Sequence, residues 1–197
     1  MYIPSSFKIL DQDELFSFMN QYSFGQLISI VDERPCSTHI PFLIDSGNKK
    51  LICHLAKINP QWKNIQDQEV LVTFLGPHDY ISPTWYTKNG VPTWDYQAVH
   101  IYGRATVISD YDKLKSMVDE LSIKYESNNT NPWSGEYPDA MLNAIIGIEI
   151  DINDIQGQYK LSQNRSKEDL DQVIDVLKIK GSYQLANAIE INNNQKI

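Results

Sequence analysis

The stretch His54-Leu-Ala56-Lys57-Ile-Asn59-Pro60-Gln-Trp62-Lys63 sets two lysines beside a predicted helix start. Backbone N–H groups and ammonium charges in that arrangement can hold a phosphate. Ordinary solvated surface cations are the alternative reading of Lys57 and Lys63. A second stretch, Tyr80 to His100, carries Trp85, Tyr86, Trp94 and Tyr96 among Ser82, Thr84, Thr93 and Asp95. Flat rings with polar tips suit a planar heteroaromatic ligand, because stacking uses the ring face while OH and NH groups meet its edge. An aromatic core or a dimer seam accounts equally for that composition. A third stretch, Lys160-Leu-Ser162-Gln163-Asn164-Arg165, puts two cations, a hydroxyl and two amides directly before Ser166, another predicted helix cap. Its alternative is a turn followed by a surface charge.

Other chemistries lack their residues. The histidines at 39, 54, 78 and 100 show no ligand spacing, so no metal site is expected. The two cysteines, Cys36 and Cys53, lie in apolar segments without paired spacing and read as buried, reduced thiols. Nucleophile-elbow, Walker and dinucleotide glycine motifs are absent. The net charge of -8 repels polyanions such as nucleic acid over long range, and the sequence pI is about 4.9. No apolar run approaches the roughly 20 residues needed to cross a bilayer. The acidic Asp11, Asp13 and Glu14 stand where a signal peptide would need its apolar region, so the expected location is cytoplasmic.

The elements that must position these groups follow from period and punctuation. Asp11 with Glu14 reads as a capping box for a helix ending near Tyr22. Runs at 24–31, 38–45 and 50–55 read as three strands of a meander, broken by Asp32 to Pro35 and Ser46-Gly-Asn. Asn59-Pro60 predicts a short helix over 61–66, with a buried strand following at 69–76. Segments 80–86 and 93–109 extend the sheet around a turn at Lys88-Asn89-Gly90, making at least six strands. Asp110 caps a helix with Leu114, Met117, Val118, Leu121 and Tyr125 on one face. Pro138 opens another helix, 146–152 alternates as a strand, and Ser166-Lys-Glu-Asp169 is a second capping box. Many strands with inserted and appended helices indicate a mainly β, α+β barrel rather than a doubly wound sheet. One domain over 1–190 with a C-terminal helical segment is expected, followed by a frayed tail at 191–197.

Taken together, Met1-Tyr-Ile-Pro4-Ser-Ser-Phe7, His39-Ile-Pro41-Phe42, the 54–63 run, Gly76-Pro77, and the runs 80–86, 91–100 and 160–165 resemble the PaiB family of FMN-binding negative transcriptional regulators. The resemblance extends from residue 1 to about residue 178. It implies an FMN-binding split β-barrel, pyridoxamine-phosphate-oxidase-like, and a homodimer with flavin near the subunit interface. By the same resemblance, His54, Ala56, Lys57 and Asn59 lie along the flavin phosphate and ribityl side, with Lys63 as an auxiliary cation. Trp85, Tyr86, Trp94 and Tyr96 wall the ring pocket, and His100 with Gln163, Asn164 and Arg165 completes it, the last three from either subunit. Two positions depart from the family pattern. Lys57 replaces an expected Arg and loses bidentate phosphate geometry. Asp95 replaces a common Asn and adds a negative charge, unfavourable to an anionic cofactor if it faces the pocket.

Three functions remain open at this level. A transcriptional regulator acting through flavin or partner binding fits the family, although no helix-turn-helix pair with a basic face is present, which makes direct DNA binding doubtful. The alternative is an FMN-dependent oxidoreductase or flavin reductase acting on a small acceptor. The third is a flavin or haem sensor whose dimer engages another protein. No residue is assigned as catalytic acid or base.

Overall fold

The structure is a computed structural model that describes residues 1–87, 90–133 and 136–194. The predicted turn at Lys88-Asn89-Gly90 falls mostly outside them. Among the described residues the strands are β1 (Lys8–Ile9), β2 (Phe24–Val31), β3 (Arg34–Pro41), β4 (Leu43–Asp45), β5 (Lys50–Ala56), β6 (Glu69–Ile81), β7 (Thr93–Ile108) and β8 (Ile145–Lys160). The helices are α1 (Gln12–Gln21), α2 (Tyr111–Glu126), α3 (Asp139–Asn143), α4 (Lys167–Ile179) and α5 (Tyr183–Asn194). The strands form one sheet in the order β3-β2-β6-β7-β8-β5-β4, with β1 pairing antiparallel to β8.

The expected three-stranded meander is corrected here. The run 38–45 is two strands, separated by Phe42, which is fully buried. β3 pairs with β2, whereas β4 pairs with β5, so consecutive strands stand at opposite ends of the strand order. The predicted loop at 32–35 shrinks to Asp32 and Glu33, both at positive φ (49° and 63°), the backbone of a tight two-residue hairpin. Arg34 and Pro35 then begin β3, where an edge position tolerates the missing proline N–H. In the 80–86 segment, Ile81 ends β6 and residues 83–85 form a 3-10 turn capped by Ser82.

Helix starts follow local chemistry. Asp11 accepts from the N–H groups of Asp13 and Glu14, and Asp110 from that of Lys113. Ser166 accepts from Asp169 N–H, but Asp169 does not complete the expected box. Its carboxylate instead accepts from Thr87 N–H at 2.7 Å and Thr87 Oγ1 at 2.8 Å. On α2, Leu114 and Val118 are buried as the stripe predicts, while Tyr125 is exposed and its hydroxyl bonds Ser23 at 2.7 Å. Asn192 to Asn194, expected as frayed tail, belong to α5.

The chain forms two compact units. One comprises residues 1–15, 75–99 and 156–197, and its buried side chains include Ile81, Val99, Leu161, Val173, Leu177 and Leu185. The other comprises 16–74 and 100–155, with Leu27, Phe42, Phe74, Ile101, Ile148 and Ile150 buried. Phe42 and Phe74 meet edge to face in the second unit at 5.4 Å between ring centroids. β6, β7 and β8 each contribute one portion to either unit.

Candidate functional site

The 54–63 run belongs to the unit formed by 16–74 and 100–155. β5 carries His54 opposite Gly147 of β8 and ends at Ala56. The loop that follows is tied by its backbone. Lys57 N–H donates to Ala144 C=O at 2.8 Å, Asn59 N–H to Ala56 C=O at 2.9 Å, and the Trp62 indole to Lys57 C=O at 2.9 Å. The predicted helix over 61–66 is a 3-10 turn at Pro60–Asn64, capped by the Asn59 side chain through Gln61 N–H. So short a turn sums little dipole, and the case for phosphate there moves from helix terminus to side-chain cations. Lys57 and Lys63 are both exposed.

Beneath the loop lies a polar cluster that sequence reasoning missed. Gln61 is fully buried. Its Nε2 donates to Leu27 C=O at 3.1 Å, Ser29 Oγ at 2.9 Å and Cys36 C=O at 3.3 Å, and its Oε1 accepts from Thr38 Oγ1 at 2.6 Å. Asn59 Nδ2 donates to the same Thr38 oxygen at 3.0 Å. A glutamine between a proline and a tryptophan gives no local sign of this, because its partners sit on β2 and β3. Cys36, expected buried, is only half-buried, whereas Cys53 is buried and burial pushes its thiol pKa up. His54 and His100, both half-buried, have pKa values lowered by burial, so each imidazole is neutral near neutral pH. His100 Nδ1 is buried and makes no hydrogen bond among the described residues.

The aromatic and 163–165 groups belong to the other unit. The Arg165 guanidinium lies 4.0 Å from the Tyr86 ring centroid, and Lys180 Nζ lies 5.0 Å from that of Trp85. Tyr86 is 9% exposed, yet its hydroxyl makes no hydrogen bond among the described residues. Trp94 is half-exposed beside Tyr80, edge to face at 6.2 Å, and His78 at 6.5 Å. Tyr96 is half-buried on β7. Gln163 is engaged within the chain: its Oε1 accepts from Leu161 N–H at 2.7 Å, and its Nε2 donates to Tyr159 C=O at 2.6 Å and Ser6 C=O at 3.2 Å. It holds the turn. Asn164 is exposed.

Asp95, the unfavourable departure, is 1% exposed and compensated from within. Lys160 Nζ approaches its Oδ1 at 3.3 Å, and Ser162 Oγ donates to its Oδ2 at 2.5 Å. Lys160 also donates to Thr93 Oγ1 at 2.6 Å and to Trp94 C=O. Burial raises the Asp95 pKa, with Ser162 and Lys160 opposing it. The pair clamps the start of β7, which bears Trp94 and Tyr96, to the end of β8, where Ser162 at φ 55° turns the chain toward Arg165. Among the described residues no three His, Cys, Asp or Glu side chains converge to hold a metal ion, and no helix is long and apolar enough to cross a membrane.

An antiparallel sheet with flanking helices, bearing these aromatic and cationic groups, is the split-barrel fold of flavin-binding proteins. Two solved structures share it: the flavocytochrome Anf3 from Azotobacter vinelandii (TM-score 0.65, 13% identity, covering 85% of this chain and 77% of that one), and the FAD and heme binding protein from Mycobacterium smegmatis (TM-score 0.62, 13% identity, 78% and 73%). At that identity the likeness shows the fold alone. Residues 1–154 match the family described as "Putative FMN-binding domain". The chain is 40% identical over 188 residues to Protease synthase and sporulation protein PAI 2 of Bacillus subtilis, covering 90% of this chain and 89% of that protein. It is 35% identical over 153 residues to the uncharacterized protein YKL070W of Saccharomyces cerevisiae, covering 64% of this chain and 90% of that protein. The chain belongs to this FMN-binding family, of the PaiB type.

Proposed function

We propose that this chain binds FMN noncovalently and acts as a PaiB-type regulator through flavin occupancy or a partner protein, not through direct operator contact. The observation that carries the reading is that His100, which lies in the same unit as His54, Lys57 and Lys63, keeps a buried ring nitrogen without a partner among the described residues. An unsatisfied buried group costs about 1–3 kcal/mol, and the polar edge of a heteroaromatic ligand relieves that cost on binding. The residues fit the group. Neutral His54 and His100 each offer one N–H and one lone pair. Lys57 and Lys63 supply exposed positive charge for the phosphate. FMN, when bound, supplies hydride and electron transfer.

The name of the Bacillus subtilis relative supports a regulatory setting, and the net charge of -8 opposes approach to DNA phosphates. A homodimer with the flavin near the subunit interface is part of the same reading. The test is the absorbance spectrum of purified protein before and after FMN is added and the mixture desalted. Flavin bands that travel with the protein are expected, and FMN that washes away completely sinks the proposal. Steady NAD(P)H consumption by the flavin-loaded protein with a small acceptor would move the reading to an oxidoreductase.

A further inference from the structure

The hydrogen-bond ring under the 57–63 loop joins three side chains from separate elements: Thr38 on β3, Asn59 in the loop and Gln61 in the 3-10 turn. Thr38 Oγ1 accepts from Asn59 Nδ2 and donates to Gln61 Oε1, and Asn59 Oδ1 accepts from Gln61 N–H. Each of the two links through Thr38 uses its hydroxyl. Gln61 then extends the ring to β2 and β3 through the three acceptors of its Nε2. A fully buried amide satisfied at both ends resists displacement, because leaving it leaves partners unpaired. The turn so anchored carries Trp62, whose indole holds the Lys57 carbonyl. Lys57 thus stands on a backbone pinned from both sides, although its own side chain is exposed.

We infer that Thr38 and Gln61 are positioning residues: they hold the loop so that Lys57 and Lys63 meet a phosphomonoester on the ligand, and so set the preference for a phosphorylated over an unphosphorylated flavin. This rests on the proposed FMN reading. An exposed lysine on a loose loop gives up binding energy to ordering, whereas a pre-set backbone has already met part of that cost. Asn59, expected to touch the ligand, has its amide engaged in the ring on both sides and acts mainly through it.

The discriminating probe is FMN against riboflavin, which differ by the phosphate. Binding of both is titrated by flavin fluorescence for the wild type, Thr38→Val, Thr38→Ser and Gln61→Met, with circular dichroism to establish folding. Wild type should prefer FMN. Thr38→Val should lower that preference by about twofold to threefold, within what two exposed lysine contacts, each giving about 1.4-fold to fivefold, can supply, while riboflavin affinity stays near the wild-type value. Thr38→Ser, which keeps the hydroxyl, should restore it, and Gln61→Met should follow Thr38→Val. An unchanged FMN-to-riboflavin ratio in Thr38→Val, or equal loss for both flavins, overturns the positioning role. A wild type that binds both flavins equally, or neither, overturns the phosphate reading itself and is recognised before any variant is compared. If Gln61→Met does not fold, the Thr38 pair decides.

Discussion

Replacing Lys160 with Met removes the cation facing Asp95 while keeping much of the apolar stem. In the native protein Asp95 is 1% exposed, with Lys160 Nζ at 3.3 Å and Ser162 Oγ at 2.5 Å. Breaking a buried pair by deleting one partner costs about 3–5 kcal/mol, because the remaining charge is left in a medium that solvates it poorly. The Lys160 side chain is 23% exposed and Ser162 remains, which places the expected loss at the lower end, about 3 kcal/mol. For a chain of this size that is a fall in Tm of roughly 6–12 °C. Part of it, the lost bonds to Thr93 and Trp94, is independent of pH.

The rest depends on pH in a definite direction. Burial already raises the Asp95 pKa, and losing Lys160 raises it further. An unfolded Asp titrates near about pH 3.9, so between that pH and the native pKa the folded state holds a proton that the unfolded state lacks. Stability therefore falls as pH rises through this window, and the ionic part of the defect is absent below it and complete above it. Thermal unfolding followed by circular dichroism at about pH 5 and about pH 8 should show the larger deficit at the higher pH. Asp95→Asn added to Lys160→Met should recover much of it. Equal deficits at the two pH values, or no recovery in the double variant, refute the ion-pair account and reduce Lys160 to packing.

Lys57→Ala should weaken FMN binding by about 1.4-fold to fivefold relative to the control Lys113→Ala on α2, since an exposed charge pair contributes only about 0.2–1 kcal/mol. Fluorescence titration at fixed ionic strength checks this, and equal affinities remove Lys57 from the site. Tyr86→Phe deletes a buried hydroxyl that has no partner among the described residues, so Tm should hold or rise while FMN affinity drops. Affinity unchanged by Tyr86→Phe would take that hydroxyl away from the ligand. Light scattering at micromolar concentration should give about twice the 22.7 kDa chain mass, and a monomer counts against the shared-interface reading.

Much of the architecture was legible along the chain because it depends on near neighbours. Asp11, Asp110 and Ser166 start helices through contacts two or three residues away. Period two picked out β2 and β5, and the stripe on α2 predicted its buried Leu114 and Val118. The ordered aromatic and basic motifs sufficed to identify the family. They also singled out Tyr86 and Arg165 in one unit and His100 in the other; among the described residues the Tyr86 hydroxyl and His100 Nδ1 are buried without a partner, and Arg165 lies over the Tyr86 ring.

What sequence could not reach depends on partners far along the chain. Nothing local says that β3 and β4, one residue apart, pair at opposite ends of the strand order, since strand propensity carries no address for its neighbour. Asp95 read as a liability because its compensation comes from Lys160 and Ser162, more than 60 residues away. Asp169 looked like half of a capping box until Thr87 took its carboxylate. Gln61, silent in the sequence, became a fully buried anchor only when β2 and β3 placed three acceptors and a hydroxyl around it. Burial changes what a polar side chain costs and what it can hold, and burial exists only once the chain has folded.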